Sequence, residues 1–426
     1  MSYIDQLHLK LPENLTAETI AHHWVPRVSG PLTGIRVLEL GSFIAGPFAG
    51  QLLGDYGAEV IKIEPPTVGD PMRKWGHCDP NGNSYWWPAI ARNKHSVAIN
   101  LRSDEGRKVV RRLALQSDVV LENFTPGRLS EWELGYSDLA TENPGLIMTH
   151  VSGFGQTGPR ATDPGFGSIG EAMGGIRHTT GWPDRQSTRA GISLGDAIAS
   201  LFAVIGTMAA LNEKQNSGKG QEVDVAIYEA VFALMESTIA DFELGGHIRG
   251  RTGSILPGVA PSNVYPTADG ANVLIAGNAD AIFGRICEAM QQPALAEDPR
   301  YVDHEHRGAN QEELDELIGA WTATFPVDDL EALLDQHAIP YGRIFTAPDM
   351  LSDPQFAARE LIKRYEDEVL GQEVPMAAPV PVFSRTPGAI ASTGPELGQH
   401  TQQILQEVAG YSDEQIADMR QREIIA

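Results

Sequence analysis

The chain has 426 residues, 42% of them hydrophobic and 21% charged, the make-up of a globular protein long enough for two domains. Its 32 Lys and Arg stand against 56 Asp and Glu, a net charge of −24, which argues against nucleic acid as a partner and leaves small anions only where cations gather locally. Two distant cysteines, Cys78 and Cys287, offer neither a disulfide framework nor a zinc-ligand spacing and fit a reducing cytoplasm, and neither a secretory signal nor a membrane-spanning apolar run is expected. Residues 1–30 read as an appended arm. The stretch "GIRVLELGSFIAGPFAGQLLGDYGAEVIKIEPP" then predicts strand, glycine turn, helix and strand. Val37–Leu40 and Val60–Ile63 are the strands, with a helix over Phe48–Tyr56 between them. This is a βαβ unit, which implies a parallel sheet.

The alternation continues through "HSVAINL" as strand, "DEGRKVVRRLALQS" as helix, "DVVLEN" as strand and "GLIMTHVSGFG" as strand and loop. The fold class is therefore α/β. Next, "VSGFGQTGPRATDPGFGSIGEAMGG" is dense in glycine and proline, the composition of turns at which ligands sit. A long helix is expected near Ala197–Asn216, and "YEAVFALMESTIADF" reads as one further helix. "VYPTADGANVLIAG" predicts a hairpin turning at Asp269-Gly270, Phe283 to about His337 is helical, and "GQHTQQILQEVAG" opens the last helix.

Several chemistries fall away on inspection. The first turn reads G-S-F-I-A-G, so Phe43 stands where a dinucleotide fingerprint needs its second glycine, and Pro47-Phe48 replace the Lys and Ser/Thr of a P-loop. "VDHEHRG" is better read as a solvated polar turn than as a metal site, and no metal is expected. No G-x-S-x-G elbow is present. Seven Lys and Arg gather in Arg92–Leu113, either as a solvated helix face or as an anion site. Asp196, in "SLGDAIAS", reads as the N-cap of the long helix. A carboxylate so placed stays ionised beside the positive helix end, as a nucleophile must, so capping and catalysis are both open on the residues alone.

Those residues also carry a likeness. "GIRVLELGSFIAGPFAGQLLGDYGAEVIKIE", "RNKHSVAINLRSDEG", "DVVLENFTPGRL", "VSGFGQTGP", "LGDAIASLFAVIGTMAAL", "SGKGQEVDV", "IPYGRI" and "PELGQHT" occur in the order found in the class III CoA-transferases. The chain resembles that family, which includes formyl-CoA:oxalate and carnitine CoA-transferases, from about Leu32 onward. The resemblance implies Asp196 as catalytic nucleophile, forming an aspartyl–acyl anhydride and then an aspartyl-CoA thioester. It implies CoA contacts at Asn123 and Arg102, with Asn93 and Lys94 close by. CoA and its thioesters are then substrates, no cofactor is permanently bound, and the partners are an acyl-CoA donor and a carboxylic acid acceptor.

The resemblance further implies a Rossmann-like large domain built from both chain ends (31–228 and 346–426), a linker and smaller α+β domain (229–345), and an interlocked homodimer. Two departures stand out, Ser130-Glu131-Trp132 after "PGRL" and Pro65-Pro66 after "IE", each where relatives carry basic residues. Arg177, His178 and Arg189 flank the nucleophile segment, and one of them is expected to pair with a second carboxylate of a dicarboxylic acceptor. The loop Gly253–Gly258 reads equally as a lid or as a plain linker. Related α-methylacyl-CoA racemases need a histidine where this chain has Gly165-Phe166-Gly167. Without that proton carrier, racemisation ranks below transfer, and simple acyl-CoA binding is the non-enzymatic alternative.

Overall fold

The structure is a computed structural model that describes residues 28–426, so the expected arm lies almost wholly outside the described residues. The chain divides into two compact units. The first comprises residues up to Ile176, Gly191–Glu236 and Glu360–Ala426; the second comprises Arg177–Ala190 and Ser237–Arg359.

A six-stranded parallel sheet forms the centre of the first unit, ordered β3-β2-β1-β4-β5-β6. The strands are β1 (Arg36–Glu39), β2 (Glu59–Glu64), β3 (Lys94–Ala98), β4 (Val119–Glu122), β5 (Ile147–Ser152) and β6 (Glu222–Ala226). Every strand pair is parallel, and register sends alternate residues to opposite faces. Leu38, Ile61, Val120 and Met148 share one core with Val109, Val110 and Leu113 of α2 (Asp104–Leu115). Val37, Val60, Val119 and Ile147 share the other with α1 (Ala45–Asp55) and α4 (Leu194–Ser217). Sheets covered on both faces read as apolar runs, which is why these strands were legible.

Helix α2 begins at Ser103, whose hydroxyl accepts the Gly106 N–H, with Asp104 and Glu105 in its first turn and Arg112 in its last. That charge order suits the helix dipole. Between β5 and β6 lie α3 (Gly167–Met173) and α4, and α5 (Ile227–Phe232) follows β6 and packs on both. The long helix is thus slightly longer than expected. Helix α4 is, by length and composition, apolar enough to cross a membrane. Here it packs on α1, α3, α5 and the sheet, while Leu201, Ile205 and Met208 face outward.

The single helix expected over "YEAVFALMESTIADF" is two. Helix α5 ends at Phe232, Glu236 takes a φ of 49°, and α6 (Thr238–Gly245) begins in the second unit. A left-handed residue cannot continue a right-handed helix. The first unit consequently extends to Glu236, past the boundary at 228, because α5 packs on α3 and α4.

The second unit holds an antiparallel sheet of β7 (Ser262–Pro266), β8 (Asn272–Ala276) and β9 (Tyr341–Arg343). Gly270, at a φ of +83°, makes the expected hairpin turn. Val273 and Ile275 pack with α7 (Asp280–Ala289), α8 (Gln311–Thr322) and α9 (Val327–Gln336). "VDHEHRG" caps a short exposed helix through Asp303, as the polar-turn reading requires, although its Arg307 is buried against three carbonyls and Asp280. The unit continues to Arg359, beyond the boundary at 345, through two short proline-initiated helices.

The chain then returns to the first unit. A hairpin of β10 (Ile362–Asp367) and β11 (Gln372–Ala377) precedes α10 (Thr401–Glu407) and α11 (Asp413–Gln421), and the last helix was not anticipated. Both close the core over Leu38 and Ile61. β3 is the sheet's edge, and its Ser96 and Ala98 N–H groups donate to His400 Nδ1 and Thr401 Oγ1 at 3.2 and 3.0 Å.

Candidate active site

In a strand order of this kind the connections reverse direction between β1 and β4, and the loops leaving those strands open a crevice. The two loops are joined here. Asn123 Oδ1 accepts the Ser42 N–H at 2.9 Å, and its amide donates to the Ser42 carbonyl at 2.8 Å. Phe43, next in the turn, has a φ of 63°, which costs an ordinary side chain about 1–2 kcal/mol.

Buried charges hold that turn. Lys62 Nζ contacts Glu39 at 2.9 Å, Asp70 at 2.8 Å and the Gly41 carbonyl at 2.8 Å. Lys94 Nζ contacts Glu39 at 2.8 Å and donates to the Pro47 carbonyl at 2.6 Å. Asp70 accepts the Phe43 N–H at 3.2 Å, and Arg73 grips Glu64 with two bonds. The cations Lys62, Lys94 and Arg73 thereby match the anions Glu39, Glu64 and Asp70. Burial raises the Glu39 carboxyl, but Lys62 and Lys94 outweigh it and hold the group below its ordinary value. Burial, seconded by the like charge of Lys62, pulls Lys94 down to about 8 despite Glu39. Gly50 of α1 lies against this cluster, where a Cβ would come within 3.0 Å of the Glu39 carboxyl carbon.

Asp196 stands in the first turn of α4 and is half-buried. It is the third helical residue, not the cap: Ser193 occupies the cap position and its hydroxyl makes no capping bond. The N–H of Gly195 instead donates to Oε1 of Glu171, a buried acid on α3, at 3.1 Å. Gly167, at the start of α3, lies against the Asp196 carboxyl; a Cβ there would sit 2.6 Å from Cγ and overlap Oδ2. Phe166, exposed, meets Phe43 edge-on at 6.3 Å. Ser200 donates to both the Asp196 and Ala45 carbonyls, at 2.7 and 2.6 Å, and so ties α4 to the start of α1. Helix α4 is thus tied to the start of α1, and the segment leading into α3 touches the turn after β1, all within the first unit.

The remaining residues named from sequence separate. Asn93 is buried, donates to Asp55 and the Ala389 carbonyl, and accepts the Ala391 N–H, so its amide serves the fold. Lys94 is equally committed, to Glu39 and Pro47. Both side chains thus have their partners within the fold. Arg102 is exposed just before α2, and its side chain makes no ion pair among the described residues. Arg177, His178 and Arg189 belong to the second unit. The Gly253–Gly258 loop is tied within that unit, its Gly253 N–H donating to the Gly181 carbonyl and its Gly258 N–H to Gln311. No metal-binding cluster occurs among the described residues.

Glu39, Lys62 and Asp70 were missed, as was Glu171. A signal for the first two existed: charges inside the apolar runs "RVLEL" and "EVIKIE" demand partners when the strands are buried.

A model of CoA-transferase family III matches residues 32–401. The chain belongs to CoA-transferase family III. Among family relatives, succinyl-CoA–D-citramalate CoA-transferase of Chloroflexus aurantiacus is 55% identical over 395 residues, covering 93% of this chain and 98% of the relative. Succinyl-CoA:glutarate CoA-transferase of Mus musculus is 34% identical over 383 residues, covering 90% and 87%. A CaiB/BaiF family protein from Brucella suis has a similar structure, with a TM-score of 0.79, 35% identity, and coverage of 89% of this chain and all of that one.

Proposed function

We propose that this family III enzyme moves CoA from a dicarboxylic acyl-CoA, with succinyl-CoA as donor, to a second short dicarboxylic acid. The observation that carries the chemistry is the Asp196 carboxylate, held against Gly167 in the first turn of α4. One carboxylate oxygen attacks the thioester carbonyl; the C–S bond breaks and CoA leaves as thiolate, giving a mixed anhydride on Asp196. The thiolate attacks the aspartyl carbonyl and expels the donor acid, leaving an aspartyl-CoA thioester. The acceptor carboxylate then attacks that thioester and releases the thiolate. Finally the thiolate takes the acceptor acyl group and frees Asp196. Every intermediate, anhydride or thioester, keeps its acyl group activated, so one transfer is split into successive exchanges. The positive end of α4 favours the ionised nucleophile.

Substrate class rests on the names of the relatives, which pair succinyl-CoA with citramalate and with glutarate. Arg177, His178 or Arg189 would receive the distal carboxylate. Arg102, exposed, would meet a CoA phosphate, and Asn123 would present its amide where it already shapes the switch-point turn. A homodimer would cover Leu201, Ile205 and Met208, which form an exposed apolar stripe along α4 at helical spacing.

Intact-protein mass spectrometry after incubation with succinyl-CoA tests the reading. The expected result is an adduct on the peptide containing Asp196, absent in Asp196→Ala, which loses on the order of 10⁴-fold or more in transfer rate while remaining folded. Binding of succinyl-CoA with no adduct and no transfer would make the protein a carrier instead.

A further inference from the structure

We propose that Glu171 is a positioning residue for the nucleophile: its carboxylate, delivered from α3, caps the first turn of α4 and thereby fixes where Asp196 stands. The inference rests on the assignment of Asp196 above. Helix α4 runs for 24 residues, and its own cap residue, Ser193, leaves the first-turn N–H groups to other partners. Glu171 takes one of them, the Gly195 N–H at 3.1 Å, while being only 2% exposed. A buried carboxylate is costly unless it is hydrogen-bonded, and a surface serine caps a helix without that cost. What the buried acid adds is a tie between two helices.

The tie falls on the nucleophile's own neighbour. Gly167 and Glu171 are four residues apart, on one face of α3, and they touch Asp196 and Gly195, which are consecutive. One turn of α3 therefore does two things: Gly167 leaves room for the Asp196 carboxyl, and Glu171 holds the backbone that carries it. The approach is close, since a Cβ on Gly195 would come within 2.8 Å of the Gly167 carbonyl and 3.0 Å of Glu171 Cγ. A rotation or slide of α4 relative to α3 would move Asp196 first, and misplacement by about 1 Å can cost on the order of 100-fold in rate.

The test uses Glu171→Ala, Glu171→Asp and Glu171→Gln in the full-length enzyme, with kcat, KM for succinyl-CoA, thermal unfolding, and the rate of adduct formation on Asp196 as readouts. Glu171→Gln keeps an acceptor oxygen at full reach and is expected within about 5-fold of wild-type kcat. Glu171→Ala lacks the acceptor and Glu171→Asp retracts it by one methylene; both are expected to lose about 100-fold in kcat and in adduct rate, with KM within about 3-fold. The Asp variant keeps the charge, so it carries the test even if the Ala variant does not fold. Wild-type kcat in the Ala or Asp variant, a Gln variant as impaired as they are, or a loss confined to KM would each overturn the proposal. An adduct that forms on wild-type Asp196 and equally fast in Glu171→Asp would overturn it alone. No adduct on wild-type Asp196 would overturn the nucleophile assignment and this proposal with it.

Discussion

Lys62 in the first unit and Arg343 in the second each neutralise two carboxylates, in opposite surroundings. Lys62 is 1% exposed and faces Glu39 and Asp70, which are as deeply buried. Arg343 is 29% exposed, and its partner Asp328 is 85% exposed. Surface pairs of the second kind contribute little, whereas burying ions costs several kcal/mol apiece before any contact is made. A protein accepts that cost where geometry matters more than stability. Here the buried ions grip the carbonyl of Gly41 and the N–H of Phe43, in the turn between β1 and α1. Arg300, likewise in the second unit, pairs with Asp298 and Glu313 at or near the surface, whereas Arg307 there is buried.

The largest expected effect that tests this contrast is Lys62→Met. It strands Glu39 and Asp70 without their shared cation and should cost about 3–5 kcal/mol in denaturant unfolding. Arg343→Met should cost no more than about 1 kcal/mol. Equal losses would erase the distinction drawn between the units.

Next in size, Gly167→Ala adds a methyl group where the Asp196 carboxyl sits and should lower kcat about 100-fold by displacing it. The thermal midpoint should fall only slightly, because the neighbour that yields is a half-buried side chain. A fully active Gly167→Ala enzyme would mean that Asp196 works from another position.

The pH response is more gradual. Burial raises Glu39 and Glu64, but Lys62 with Lys94 and Arg73 respectively overcome it, so both titrate in the folded protein below their ordinary value of 4.5. A depressed folded pKa means stability that is complete above about 4.5 and drains as pH falls through the folded values. Thermal midpoints should therefore decline below that pH, and the decline should be shallower in Glu64→Gln.

Much of this architecture could be read in the sequence, because parallel strands buried on both faces write themselves as short apolar runs and glycine marks the turns between them. The Val37, Val60 and Val119 strands all appear where expected. Asp196 was visible as an acid at a helix start, but its place within that start was not. The first turn's Gly195 N–H is taken by Glu171 from a separate helix, and no local pattern encodes that contact. Lys62 and Glu39 were hidden for a related reason: they are 23 residues apart and meet only through the register of β1 on β2. That the Asn93 and Lys94 side chains lie buried was not legible either, because sequence shows charge without showing burial. The interruption at Glu236 left no glycine or proline to announce it.

The edge strand β3 carries a consequence for how the chain is made. Its Ser96 and Ala98 amides are satisfied by His400 and Thr401, more than 300 residues later. During synthesis, at about 5–20 residues per second, the strand is exposed for tens of seconds with an open row of donors. In that interval it can pair with another nascent chain. Chaperone demand should therefore be set by the delay before residues 400 and 401 emerge, and slowing translation between β3 and α10 should raise aggregation without touching the stability of the finished enzyme.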